Sequence, residues 1–410
     1  MNDPKTTGLI HHPYVAPAGF GAVQPAVHKA STVIFETAAA MRARDWKQRS
    51  GYTYGLHGTP STFTLEQRIA ALEGGLHTLL VPSGLASITL VDTALLSAGD
   101  EVLIPDNAYG PGKDLARRML ARWGIAHRFY DPADPAALQA MLTPASKLVW
   151  IEAAGSVTME FPDVRALVRA ARSQGAIVAL DNTWGAGLAF DPFDLGDGLA
   201  VDLSAHALTK YPSGGGDVLM GAVTTRIEAL HARLNAAHMH MGWGVAGNDV
   251  ELVLRSLPSI ALRYAAHDRA ARTLAQWWTT RDEVVQVLHP ALPGSPGHAH
   301  WQALCTQAAG LFSVVFDERF NARQVDAFVD ALRLYKIGSS WGGPMSLVVA
   351  YDLAAMRQRL RWQGTVVRFS VGLEAVDDLI RDAEQALETF RQAGAVDDAA
   401  QGARGVEEAD

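Results

Sequence analysis

Hydrophobic and polar positions follow two rhythms along this chain. Through its middle third, short unbroken apolar runs alternate with stretches whose apolar residues recur at helical spacing. That is the pattern of a mostly parallel sheet covered on both faces. HTLLVPSG (77–84) reads as a strand and a turn, with a helix from about Leu85 to Leu96. EVLIPDNAYG (101–110) reads as a second strand ending in a polar loop. KLVWIEA (147–153) and AIVALDN (176–182) flank the helix PDVRALVRAARSQG (162–175), a βαβ unit. LAVDLSAHALTK (199–210) and VLMGAVTT (218–225) complete the sheet.

The ends of the chain lack this alternation. Residues 1–58 hold many Gly, Pro and Tyr and little periodicity, an arm expected to embrace a partner subunit rather than to fold alone. After Leu257 and Pro258 come the helix LRYAAHDRAARTLAQWW (262–278) and shorter strands such as GLFSVVF (310–316) and TVVRFSVG (365–372). The expected division is the arm 1–58, a large α/β domain 59–255, a smaller α+β domain 256–394, and an acidic tail 395–410. The tail is aromatic-free and expected to be disordered.

Composition narrows the class. The 410 residues suffice for two domains with cores, and 49% hydrophobic with 19% charged residues describes an ordinary globular protein. A formal charge of −8 with scattered Lys and Arg argues against nucleic acid or an anionic membrane as a partner. A single cysteine, Cys305, excludes an intrachain disulfide and suits a reducing cytoplasm. The opening MNDPKTTGLIHHPY lacks the apolar stretch of a secretory signal, so a cytoplasmic location is expected. The run LLVPSGLASITLVDTALLSAG (79–99) is interrupted by Pro82, Gly84 and Asp92, which fits a strand, turn and buried helix better than a membrane span.

The chemistry gathers at the ends of these strands. In SAHALTKYPSGGGDVLMG (204–221), Lys210 has no acidic neighbour before Asp217 and is followed by three glycines. An isolated buried lysine is usually snorkelling or salt-bridged. At the end of a sheet strand, where α/β folds bind ligands, it also fits a reactive Schiff-base lysine. Asp181, ending VALD, is either a turn former or the carboxylate that keeps a pyridinium nitrogen protonated. PSGLAS (82–87) opens a helix and offers the N–H groups of Gly84 and Leu85 with the Ser83 and Ser87 hydroxyls, a phosphate cradle or simply an N-cap. Tyr109 in DNAYGP could lie flat on a ring or only pack. Arg368, in mid-strand within an apolar run, wants a carboxylate, from a substrate or from a structural ion pair. His238 and His240 have no third ligand nearby, so no metal site is expected.

These residues, in this order, resemble the transsulfuration (Cys/Met metabolism) family of enzymes that use pyridoxal 5'-phosphate (PLP). The resemblance runs from about residue 8 to 394. It rests on ALEGG (71–75), PSG, DNAYGP, EAAGSVTME (152–160), DNTW (181–184), LTKY (208–211), HPALPGSPGH (289–298), SSWGGPMSL (339–347) and VRFSVGLEAVDDLI (367–380). It implies the aspartate aminotransferase-like fold of fold-type I PLP enzymes, with a large mostly parallel mixed-sheet domain and a smaller α+β C-terminal domain. GSVTME and SWGG are closer to the cystathionine β-lyase branch than to the γ-acting members. The activity implied is β-elimination of cystathionine to homocysteine, pyruvate and ammonia. A γ-synthase, γ-lyase or cysteine desulfhydrase on the same scaffold remains an alternative, as does a regulatory protein that keeps the fold.

Carried onto this chain, the resemblance makes Lys210 the cofactor-bearing lysine and proton carrier. Asp181 becomes the ring-nitrogen partner, with Ser83, Gly84, Leu85 and Thr209 at the phosphate. Tyr109 would stack on the ring and Tyr54 would reach the phosphate of a neighbouring subunit, within a homotetramer that shares its active sites. Arg368, Ser340 and Trp341 would grip the α-carboxylate of a small sulfur amino acid. Three departures stand out. Leu56 occupies the arm position of a phosphate-binding arginine, with His57 beside it as a partial replacement. Ala207 replaces a phosphate-binding serine, and Ser339 stands where β-lyases tend to have tyrosine.

Overall fold

The computed structural model describes residues 4–12, 14, 16–47 and 51–407, with side chains described between residues 5 and 391. Among these, seven strands form one sheet. They are β1 (His77–Val81), β2 (Glu101–Pro105), β3 (Ala126–Tyr130), β4 (Ser146–Glu152), β5 (Ile177–Asp181), β6 (Leu203–His206) and β7 (Gly221–Thr225). Their order across the sheet is β1-β7-β6-β5-β4-β2-β3. All neighbours are parallel except β7, which runs antiparallel to β1 and β6. β2 and β7 are buried throughout, as strands covered on both faces must be. The expected βαβ unit is present: β4 and β5 are parallel neighbours, joined through the helix Val164–Arg172.

Local chemistry sets where the site-bearing helices begin. Thr59 and Thr62 form a reciprocal capping box, with Pro60 in the first turn, at the head of the helix Pro60–Glu73. Ser83 caps the helix Gly84–Leu95 by accepting from the Ala86 N–H at 3.0 Å.

The second sheet contains β8 (Val284–Leu288), β9 (Leu311–Phe316), β10 (Lys336–Ile337), β11 (Leu347–Tyr351) and β12 (Val366–Ser370), in the order β10-β11-β12-β9-β8. β12, which carries Arg368, is central and antiparallel to both neighbours. The helix Ile260–Trp278 belongs to two cores. Ile260 and Tyr264 pack with the large sheet, whereas Ala271, Leu274, Ala275 and Trp278 pack with the small one.

Two expectations need correction or a boundary. Lys210 does not end a strand: β6 stops at His206, and Lys210 lies in the following turn, its N–H bonded to the Ala207 carbonyl at 3.0 Å. The backbone bonds locally there, Ser213 N–H to the Leu208 carbonyl and Gly214 N–H to that of Lys210, so the chain leaves the sheet four residues early. The final helix spans Val376–Glu407, and the tail expected to be disordered lies outside the residues whose side chains are described.

Candidate active site

The carboxyl ends of β4, β5 and β6 open into a cavity of about 190 Å³. Ser83, Gly84, Leu85, Tyr109, Asp181, Thr209, Lys210, Trp341 and Arg368 all line it, drawn from six separate segments of the chain. Ser340 joins them through a 2.9 Å hydrogen bond from Lys210 Nζ to its Oγ. Tyr54 does not: it is half-exposed at the head of a short 3-10 turn, with its ring 6.0 Å from that of His57. Leu56 turns inward instead, toward Gly244. Ser339 is exposed and outside the lining.

Lys210 sits with its ammonium 4.5 Å from the centre of the Trp341 ring. Burial, with the Arg368 charge adding to it, brings its amine down to about 8. Asp181 is raised above the ordinary carboxylate range by burial, although it accepts the Thr183 N–H at 3.0 Å. Arg368 is buried between two rings, 5.5 Å from Trp341 and 5.3 Å from Tyr351. Its Nε has no hydrogen-bond partner, and neither has the Trp341 indole nitrogen. The structural ion pair that could have explained this arginine does not exist among the described residues. A buried guanidinium with open donors is a receptor for a carboxylate.

At the other end of the cavity, the first turn of the helix Gly84–Leu95 points in. Ser83 takes the Ala86 N–H, which leaves the Gly84 and Leu85 N–H groups of that turn for an anion. A Cβ on Gly84 would come within 2.5 Å of Ala207 Cβ, so only glycine permits this approach. The Thr209 hydroxyl is shared with the Met220 backbone, donating to its carbonyl at 3.3 Å and accepting its N–H at 3.2 Å. Gly342 rests on the Lys210–Tyr211 backbone, where a Cβ would meet Tyr211 N at 2.8 Å. The SSWGG segment is thereby fixed against the lysine.

Several lining residues carry no role in the sequence reading. Glu152 ends β4 as Asp181 ends β5, and the two are register partners. It accepts the Tyr109 N–H at 2.7 Å and the Ser156 hydroxyl at 2.5 Å. Burial and the Asp181 charge push it up to about 8. The paired strand-end acids in WIE and ALD were the available signal. Val157 and Met159, also in the lining, adopt left-handed backbone at φ 72° and 55°, uncommon outside glycine and most of all for the β-branched Val157. The small domain holds this segment: Ser313 Oγ donates to the Val157 carbonyl at 2.5 Å, and Arg357 donates to the Ser156 carbonyl.

The residues present suit PLP: a lysine of lowered pKa, a half-buried acid without a salt bridge among the described residues, and a helix start with free amides bracket one cavity. No group of three or more His, Cys, Asp or Glu among the described residues is arranged to hold a metal. No helix among them is long and apolar enough to cross a membrane.

Comparison with known proteins agrees with this chemistry. Residues 6–388 match the family described as Cys/Met metabolism PLP-dependent enzyme. A cystathionine β-lyase of Bordetella avium is 39% identical over 88% of this chain and 90% of its own. Cystathionine β-lyase MetC of Escherichia coli is 34% identical over 88% and 92%. The crystal structure of cystathionine γ-lyase from Lactobacillus plantarum complexed with L-serine superposes with a TM-score of 0.86 at 26% identity, covering 94% of this chain and 99% of that one. The same likeness carries the expected fold-type I architecture. With a lysine of lowered pKa, a strand-end acid and a buried arginine facing one cavity, the chain belongs to the Cys/Met metabolism family of PLP-dependent enzymes, and PLP is its cofactor.

Proposed function

We propose that the protein is a carbon–sulfur lyase that cleaves L-cystathionine by β-elimination, releasing homocysteine, pyruvate and ammonia. One observation carries the reading: Arg368, buried and without an anion, shares a cavity with Lys210 and Asp181. An α-amino acid presents its carboxylate to the first while its amino end and Cα lie near the second. The β-lyase relatives favour β- over γ-chemistry.

When bound, PLP supplies an electron sink for the pair left at Cα. The chain does the rest. Asp181 holds the proton on the ring nitrogen. The Gly84 and Leu85 amides would hold the phosphate, helped by Ser83 and Thr209, and Tyr109 would hold the ring. Arg368 grips the α-carboxylate through two parallel hydrogen bonds, framed by Trp341 and Ser340, and so presents the Cα–H to Lys210. Lys210 Nζ, neutral above about pH 8, takes that proton. As the Cβ–S bond breaks, its electron pair leaves on sulfur, and Lys210 returns a proton to the thiolate; the released 2-aminoacrylate takes up one water to give pyruvate and ammonia. Ile88, Val157, Met159, Trp184 and Leu311 make the walls apolar and limit water.

The exposed Tyr54 would complete the phosphate site of a neighbouring subunit, and we infer a homotetramer, a dimer of dimers, working in the cytoplasm. The proposed division is an arm to residue 58, a catalytic domain to 255 and a small domain beyond it.

The test is to supply cystathionine, cysteine and cystine separately and identify the keto acid. Pyruvate from cystathionine is expected; 2-oxobutyrate would overturn β-elimination in favour of γ-chemistry. Borohydride trapping followed by mass spectrometry should place the cofactor on Lys210, and an adduct at another lysine would refute its role.

A further inference from the structure

Glu152 is not needed by the chemistry described so far. It is a buried acid with no ion pair among the described residues, set beside the half-buried Asp181. Its two hydrogen-bond donors use different oxygens, the Tyr109 N–H on Oε2 and the Ser156 hydroxyl on Oε1; a glutamine could keep the first on its carbonyl oxygen and meet the second by donating its amide N–H to the serine oxygen. A carboxyl in this place adds the capacity for negative charge and, with it, a desolvation penalty. The charge therefore has a use.

We propose that Glu152 is a positioning residue that ties the Tyr109 loop to the floor of the cofactor cavity and reinforces Asp181, so that the ring-nitrogen proton is held by two acids. The inference rests on the cofactor site assigned above. Geometry supports it from three sides. Parallel register places Glu152 and Asp181 opposite each other at the ends of β4 and β5. Both line the same cavity, and both are raised by burial. Glu152 Oε2 receives the N–H of Tyr109, the residue whose ring covers the cofactor in the reading above, so one side chain sets both the position of that ring and the local charge.

The charged and titratable groups around Glu152 are Asp181 on β5, Tyr109 before the helix Gly110–Leu115, and Arg357 from the segment after β11. Lys210 and His206 act on it at one remove, through Asp181. Arg357 is the nearest cation, and it is occupied by the carbonyls of Asp106 and Ser156 and by the Thr158 hydroxyl. Lys210 and Arg357 act on the pair through charge alone, and neither acid forms a salt bridge among the described residues, a role a protonated pyridine would fill.

The experiment titrates the visible absorbance band of the holoenzyme against pH for the parent and for Glu152→Gln, with the melting temperature measured alongside. Glutamine keeps a bond to each partner, with the Ser156 one reversed so that the amide N–H donates to Oγ, so the melting temperature should hold. A protonated pyridine bound beside Glu152 would favour its ionised form, and loss of that charge weakens retention of the cofactor's protons, so the midpoint should fall by about one pH unit. Ser156→Ala is a second variant in case Glu152→Gln fails to fold; it should move the midpoint the same way by less. A Glu152→Gln midpoint equal to the parent's overturns the inference while leaving the cofactor site intact. A preparation with no visible band overturns the cofactor site itself, and this inference with it.

Discussion

Glu73 and Asp181 lie on opposite faces of the large sheet, against the same strands β5 and β6, yet their surroundings differ in kind. Glu73 is fully buried and fully answered. It accepts from Asn182 Nδ2 at 2.8 Å and Ser204 Oγ at 2.7 Å, and lies 2.7 Å from His206 Nδ1. Burial alone would raise its carboxyl, but these partners, His206 above all, hold it below the usual range. Asp181 has one backbone donor and a threonine beside it, and burial wins, so its carboxyl is raised. A satisfied acid fastens the helix Pro60–Glu73 to the sheet. An unsatisfied one stores affinity for a cation that the protein does not itself provide.

Substitution should separate the two most sharply in activity. Asp181→Asn removes the partner of the ring nitrogen and is expected to lower kcat on the order of 10²–10⁴-fold, with the melting temperature kept or raised. A steady-state assay paired with a thermal melt checks both halves, and an unstable but active variant would break the contrast. Glu73→Ala should do the reverse. It orphans His206, Asn182 and Ser204 in the core and should cost about 3–5 kcal/mol in urea unfolding, with kcat per folded molecule little changed. The smallest effect is in pH. Glu152 is raised to about 8, so the folded protein binds more protons than the unfolded chain between its ordinary value and that pH. Its contribution to stability should therefore decline as pH rises through this window. Glu73, being lowered, contributes stability that is lost as pH falls below its ordinary value of 4.5. Melts of the cofactor-free protein across this range should show the alkaline decline flattened in Glu152→Gln and the acid decline flattened in Glu73→Gln.

The same contrast explains what could be read in the sequence. Asp181, Lys210 and Arg368 were legible because each breaks an apolar or small-residue run, and a charge in such a place needs a reason. Ser83, Gly84 and Leu85 were legible because a strand, a turn and a helix follow one another there. Glu152 escaped notice because its meaning depends on lying beside Asp181, and pairing across strands is set by the fold. The Glu73 network escaped for the same reason, Glu73 lying more than a hundred residues before its three partners in the chain. Strand β3 left no clear signal, since AHRFY is mostly half-exposed at the sheet edge and carries charge. Lys210 was placed on a strand because apolar spacing continues through Leu208, although hydrogen bonding has already turned the chain.

The helix Ile260–Trp278 has one further consequence. Because its first half is embedded in one core and its second half in the other, it works as a spacer bar between the wall that bears Asp181 and the strand that bears Arg368. A single residue inserted at its middle would twist its far half by about 100°. The distance between the two walls would then no longer match the length of an amino acid, and molecular size would cease to be measured even with every reactive group in place.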